Sequence, residues 1–143
     1  MRAFWAGLTR RGLRAGFAVF WLALLAACGP ANAVDVQYKG YSIVLNHATM
    51  KTGDIVFNLA NQDGQVLHQF VVVQTDLPAD KFPLGADSKV VETGLKIVNR
   101  VDKIDVGQSS TFTANLAPGH YVLMCNIVGH YQLGMHADFT VTP

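Results

Sequence analysis

The chain has 143 residues, 50% of them hydrophobic, and a formal net charge of +1. This length allows one domain with a full core and is too short for two. From Val34 onward seven Lys or Arg stand against ten Asp or Glu, a formal net charge of −3 without a basic cluster, which argues against nucleic acid as a partner.

The first 33 residues have the pattern of an export signal. Arginines at positions 2, 10, 11 and 14, with no acidic residue among them, precede an apolar run over residues 15–27. That run is too short to span a bilayer comfortably and is flanked as a signal peptide is. Thr9-Arg10-Arg11-Gly12-Leu13 also resembles a twin-arginine signal, so general secretion and twin-arginine export both remain open.

This segment contains two candidate cleavage sites. Leu25-Ala26-Ala27-Cys28 resembles a lipobox, and Ala31-Asn32-Ala33 fits the A-x-A pattern of ordinary cleavage. Ordinary cleavage gives a signal peptide over residues 1–33 and a domain over residues 34–143. We favour the lipobox, because runs of small residues imitate A-x-A easily, and Cys28 would then carry a lipid anchor. Either way we expect a periplasmic or other extracytoplasmic location.

Beyond the signal, short runs with period-two alternation are separated by Gly, Asn, Asp and Pro, as antiparallel strands are. The segment 107–116 is the clearest, because its apolar side chains fall on one face and its Ser, Thr and Asn side chains on the other. Residues 66–73 are nearly all apolar, as in a strand covered on both faces. The other runs cover residues 41–45, 55–59, 120–125 and 137–141. About seven to eight strands at this spacing predict an all-β Greek-key sandwich or barrel.

Residues 76–96 break this pattern, because they mix Pro, Gly and charged residues. The composition predicts a connection with one helical turn around residues 78–82. A connection of this length in a small sandwich is usually functional or specific to a family.

Three potential metal ligands follow one another at five-residue steps near the C-terminus: Cys125, His130 and Met135. Gly129 and Gly134 ease tight turns between them. Cys125 is the only cysteine beyond the signal segment, so the domain cannot form an internal disulfide. An exported protein exposes a free thiol to oxidation, and metal ligation is a physical reason for keeping one.

His68 is a candidate fourth ligand, since it shares a predicted strand face with Phe70 and Val72. A histidine among apolar neighbours is ordinarily a hydrogen-bonded core residue. A sandwich can, however, bring the end of a middle strand beside the C-terminal loop. One thiolate, two imidazoles and one thioether suit copper in both oxidation states, whereas zinc gains little from a thioether. Met135 therefore favours one redox-active copper ion as the cofactor.

These residues carry a family resemblance. His68 followed by Cys125-x4-His130-x4-Met135 before a terminal strand resembles the cupredoxin family of type 1 (blue) copper proteins, and most closely its sulfocyanin, auracyanin and rusticyanin branch. The similarity covers essentially all of residues 34–143. It implies that His68, Cys125 and His130 are equatorial ligands and that Met135 is the axial ligand.

The resemblance also implies a function. We expect a monomeric electron carrier, not an enzyme, that moves single electrons between redox proteins outside the cytoplasmic membrane. Its donor and acceptor would dock transiently near His130, with Val128, Pro83 and Leu84 as candidate members of the apolar patch. The alternative is a periplasmic copper storage, delivery or sensing protein without electron transfer. Such proteins tend to use open sites rich in Met or His, and this chain has no Met cluster beyond Met124 and Met135.

Some neighbouring residues need a separate interpretation. Many cupredoxins have Asn or Ser next to the first histidine, and here that position is Gln69, so the reduction potential cannot be transferred from relatives. Asn126 is a candidate to supply part of the hydrogen bonding around the sulfur.

His136 should point away from the metal if Met135 faces it, because adjacent side chains alternate in an extended chain. We expect His47 and His120 to be surface histidines.

Overall fold

The computed structural model describes residues 32–62 and 65–143. The predicted signal segment, with its lipobox, Cys28 and twin-arginine pattern, lies outside the described residues except for Asn32 and Ala33. Over the described ranges, no helix has the length and apolar character needed to cross a membrane.

Nine strands in the described residues form two mixed sheets that pack face to face. The first sheet has the order β2-β1-β4-β7 and the second the order β3-β9-β8-β5-β6. The strands are β1 Ala33–Lys39, β2 Ser42–Leu45, β3 Thr49–Lys51, β4 Gly53–Asn61, β5 His68–Gln74, β6 Lys96–Ile104, β7 Ser109–Leu116, β8 Gly119–Met124 and β9 His136–Thr142. The all-β sandwich prediction is confirmed. The described residues form nine strands where about seven to eight were expected, and β1, β3 and β6 lie outside the runs in which alternation indicated a strand. The three residues of β3 are too few to show alternation.

Alternating side chains from both sheets fill the core between them. In β4, Ile55, Phe57 and Leu59 are almost completely buried, while the residues between them are only partly so. In β7 the predicted inward residues Ala114 and Leu116 are likewise buried. Burying one such large side chain stabilises the fold by roughly 1.5–3 kcal/mol. The packed core therefore holds the two sheets together and keeps the ends of the strands in place.

A second apolar cluster, here called the outer cluster, covers the opposite face of β5 and β8. Val71 and Val73 of β5 pack there against Phe82 and Val90 of the connection between β5 and β6. This confirms that β5 is covered on both faces. At the predicted helical turn, the Lys81 N–H donates to the Pro78 carbonyl at 3.0 Å, and two further turns of the connection are closed by Ser88 N–H to Gly85 and by Leu95 N–H to Glu92.

Candidate metal centre

The sheet topology brings the predicted ligands to one end of the sandwich. His68 is the first residue of β5, and Cys125 follows directly after the last residue of β8. Because β5 and β8 pair antiparallel, with Val71 opposite Met124, the start of one strand lies beside the end of the other. Alternation then sends Cys125 into the core between the sheets, where Tyr121 and Leu123 also pack.

Backbone hydrogen bonds close the loop that joins β8 to β9. The Cys125 N–H donates to the Met135 carbonyl at 3.0 Å, and the Met135 N–H donates to the His130 carbonyl at 3.2 Å. Gly129 and Gly134 have φ values of 77° and 108°, which residues with a Cβ rarely adopt. The five-residue steps of the sequence thus become one compact loop whose two ends are hydrogen-bonded to each other.

Three of the predicted ligands converge. The ligand atoms of His68, Cys125 and His130 lie within 4.8 Å of one another, and Cys125 Sγ is 3.5 Å from His130 Nδ1. Ligand atoms on one ion, each bonded at about 2.0–2.3 Å, lie roughly 3.5–4 Å apart. The cluster therefore fits a single ion with little adjustment. Among the described residues, no carboxylate belongs to this group of ligand atoms.

Met135 completes the predicted set by position. Its side chain is 0% exposed and packs in the same core cluster as Cys125, and its backbone is hydrogen-bonded to both Cys125 and His130. His68 and Cys125 are also 0% exposed, and His130 is 8% exposed. The donor set is soft and buried, which fits copper better than a hard cation such as magnesium. The bonds of these four side chains to a metal remain a prediction.

Burial acts on the protonation of the ligands. Burial raises the pKa of the Cys125 thiol, and hydrogen bonds from the backbone N–H groups of Gln69 and Ile127 partly offset this effect. The Gln69 N–H lies 3.3 Å from the sulfur. Desolvation lowers the pKa of His130, so its imidazole is neutral at pH 7 and available as a ligand. The metal-free centre at pH 7 thus holds a thiol and a neutral imidazole.

If Cys125 binds copper as a thiolate, we expect binding at pH 7 to release about one proton, because the raised pKa keeps the thiol protonated until the metal arrives. The apparent affinity should rise about tenfold per pH unit while the pH stays below that pKa. Proton release can be measured with a pH indicator in weak buffer, with Cys125→Ser as the control. An affinity independent of pH between 6 and 8 would contradict a thiolate ligand.

Asn126 ties the metal-binding loop to the β5–β6 connection. Its Oδ1 accepts from the Val90 N–H at 2.7 Å, and its Nδ2 donates to the Val90 carbonyl at 3.1 Å and to Glu92 Oε1 at 2.8 Å. Glu92 in turn pairs with Arg100, and this pairing lowers the pKa of Glu92. The connection therefore serves to hold the residue that follows Cys125.

Tyr131 is a second link between the loop and the connection. It is buried in the outer cluster, its hydroxyl accepts from the Phe82 N–H at 3.0 Å, and it donates to the Ala79 carbonyl. Neither this contact nor the partners of Asn126 can be read from the sequence, because the connection lacks a periodic pattern.

The other histidines lie apart from the cluster. The ring of His136 packs on Tyr131, with ring centroids 4.8 Å apart, and His47 is exposed. His120 differs from the surface histidine that we expected. Its side chain is 28% exposed, and its two ring nitrogens contact the Thr75 carbonyl at 2.7 Å and Asp138 Oδ1 at 2.9 Å.

Comparison with known proteins agrees with this geometry. The sequence model of the Sulfocyanin (SoxE) domain matches residues 19–143. No curated protein sequence is significantly similar to the chain.

Solved structures share the fold. Dithionite-reduced auracyanin from Roseiflexus castenholzii is 25% identical with a TM-score of 0.59, and the match covers 80% of this chain and 100% of that one. Auracyanin A from Chloroflexus aurantiacus, described as a "blue" copper protein, is 16% identical with a TM-score of 0.55 and coverage of 77% and 98%. Rusticyanin from Thiobacillus ferrooxidans is 19% identical with a TM-score of 0.57 and coverage of 77% and 76%.

The family match spans most of the chain, the fold is that of auracyanin and rusticyanin, and a buried cluster of two histidines and one cysteine stands where a copper ion fits. The chain belongs to the sulfocyanin (SoxE) domain family, a branch of the cupredoxins, and its cofactor is one copper ion.

Proposed function

We propose that this protein is a non-enzymatic carrier of single electrons, with one type 1 copper held by His68, Cys125 and His130 and by Met135 as axial ligand. The convergence of the ligand atoms of three buried residues within 4.8 Å of one another carries the proposal. Bound copper would alternate between Cu(I) and Cu(II). His130 is the most exposed of the four side chains at 8%, and a ligand set enclosed in this way supports a carrier rather than an enzyme.

The surrounding protein favours fast electron exchange because it keeps the ligands in place. His68 is the first residue of β5, and Cys125 directly follows β8, the strand that pairs with β5. The backbone hydrogen bond between Cys125 and Met135 closes the loop. Groups that move little between oxidation states add little to the barrier of each electron step, and the interior is too densely packed for large rearrangement. A thiolate with two imidazoles and a thioether also satisfies both oxidation states of copper.

Competition with chelators separates this proposal from copper storage or delivery. We expect the loaded protein to keep its copper against a Cu(I) chelator and a Cu(II) chelator, and to give a reversible one-electron wave in voltammetry. Rapid loss of the ion in both oxidation states, without a reversible wave, would instead favour delivery and overturn the carrier proposal.

We propose that redox partners dock where His130 approaches the surface. The ring of Tyr41 meets the His130 ring edge to face, with centroids 5.3 Å apart. Val128 and Leu133 of the metal-binding loop are each 58% exposed, and Tyr41 is 42% exposed. Large apolar side chains in such positions suit weak, transient contacts.

The candidate patch from the sequence fits only in part. Val128 is well exposed and Pro83 is also exposed, but Leu84 packs against the outer cluster. Tyr41 was absent from the candidates, because it is distant from the loop in sequence.

A charged variant tests the docking surface without a known partner. We expect Val128→Glu to slow electron self-exchange between Cu(I) and Cu(II) copies at least tenfold, because two copies would bring desolvated like charges together. NMR line broadening measures this rate. The control is Val98→Glu on β6, which adds the same charge at another exposed valine. Equal rates in the two variants would place the docking surface elsewhere.

We propose an extracytoplasmic location with cleavage before Cys28 and a lipid anchor. Asn32 belongs to the fold: its Nδ2 donates to backbone carbonyls of β3 and β4 at 3.2 and 3.0 Å, and its own carbonyl accepts from the Val56 N–H. Cleavage after Ala33 would remove these contacts. Mass spectrometry of the exported protein should find lipidated Cys28, and an N-terminus at Val34 would overturn the proposal.

A further inference from the structure

Tyr38 of β1 contacts two of the residues that surround the candidate copper centre. Its ring is stacked on the ring of His68, with centroids 4.6 Å apart and an interplanar angle of 14°. Its hydroxyl donates to the Gln69 carbonyl at 3.2 Å. The side chain is 1% exposed, so both contacts are sheltered from water.

These contacts link the two sheets at the site. Tyr38 lies in the first sheet, whereas His68 and Gln69 lie in β5 of the second sheet. The Gln69 N–H donates to Cys125 Sγ at 3.3 Å. One tyrosine thus contacts the ring of one predicted ligand and the residue that hydrogen-bonds the sulfur of another.

We propose that Tyr38 is a positioning residue that sets the orientation of the His68 ring and the Gln69 backbone at the copper centre. The inference rests on the proposed function, in which His68 and Cys125 bind copper. A parallel ring at this distance prevents the imidazole from rotating about its side-chain bonds. The negative face of the phenol ring also favours positive charge on the imidazole, and the oxidised centre carries more positive charge than the reduced one.

The direction of the effect follows from this charge difference. Loss of the ring destabilises the oxidised centre more than the reduced one, so the reduction potential of Tyr38→Leu should rise. Tyr38→Phe keeps the stacked ring and loses the hydrogen bond to Gln69, so its potential should shift less, and its thiolate-to-copper absorption band should change as the N–H to sulfur contact relaxes.

The experiment compares copper-loaded wild type with Tyr38→Leu, Tyr38→Phe and a matched control. Tyr121→Leu is that control, because Tyr121 is also 1% exposed and its hydroxyl also donates to a backbone carbonyl, that of Ala117. The readouts are the reduction potential, the visible spectrum and the copper hyperfine coupling by electron paramagnetic resonance. A general loss of core packing would lower stability in both Leu variants but would change these readouts in neither.

We expect a higher potential and an altered spectrum for Tyr38→Leu, a smaller change for Tyr38→Phe and wild-type values for Tyr121→Leu. Wild-type values in both Tyr38 variants, or an equal shift in Tyr121→Leu, would overturn the proposal. If Tyr38→Leu does not fold, Tyr38→Phe decides alone, and a spectrum and potential identical to wild type would overturn it. Failure of the wild type to form a coloured copper adduct would contradict the proposed function and not the role of Tyr38.

Discussion

Cys125→Ser should give a folded protein that forms no blue or green copper adduct. The visible colour of a type 1 centre comes from charge transfer between a thiolate and copper, and Cys125 is the only cysteine among the described residues. Serine is nearly the same size, so we expect a loss of about 1 kcal/mol in the free energy of unfolding from burying a hydroxyl. Absorption spectroscopy and thermal unfolding of the metal-free protein measure the two effects.

His136→Ala is the matched control, because His136 is adjacent in sequence to Met135 and its ring packs on Tyr131 instead of joining the ligand cluster. We expect this variant to keep the colour of the wild type. A colourless wild-type adduct, or a coloured Cys125→Ser adduct, would falsify the type 1 copper assignment.

Asn126→Ala should loosen the metal-binding loop. The substitution removes hydrogen bonds to both backbone groups of Val90 and to Glu92. Three such bonds contribute about 3 kcal/mol, and water entering from the adjacent surface groove, which Asn126 lines together with Glu92 and Arg100, would recover part of this, so we expect a loss of about 2 kcal/mol in stability. Since 1.4 kcal/mol corresponds to a factor of ten, about 2 kcal/mol corresponds to roughly thirtyfold, and copper should pass to a chelator faster by up to this factor.

Asn115→Ala supplies the comparison. Asn115 is exposed, and its side chain donates to Asp54 Oδ1 at 2.7 Å where β7 pairs with β4, in the sheet that does not carry the metal-binding loop. Thermal unfolding and stopped-flow chelation should show a small change in stability and no change in copper release for this variant. Equal copper release from the two alanine variants would mean that the connection does not support the loop.

The part of the fold that the sequence predicts is the part with periodic patterning. Alternation in residues 107–116 and 120–125 indicates which side chains face the core, and β7 and β8 have those faces. The five-residue steps predict the ligand loop because three ligand types and two turn glycines coincide there. The run 33–39 also alternates, but it adjoins the signal segment, and β1 was therefore not among the predicted strands.

The contacts that support the site could not be predicted, because they join segments distant in sequence without a shared pattern. Tyr38 reaches His68 across the sandwich, 30 residues along the chain. Asn126 binds Val90 in a connection whose composition predicts only a loop. Gln69 stands where many cupredoxins have Asn or Ser, but the contact with the Cys125 sulfur does not depend on this side chain. The backbone N–H of Gln69, which every residue but proline has, makes that contact.

X-ray absorption at the copper edge, in the oxidised and the reduced protein, tests the central claim most directly. If two imidazoles and one thiolate hold the ion, both states should show one sulfur and two nitrogen neighbours at bonding distance, with little change between them. A first shell without sulfur, or one that rearranges on reduction, would contradict the claim that His68, Cys125 and His130 form one stiff redox centre.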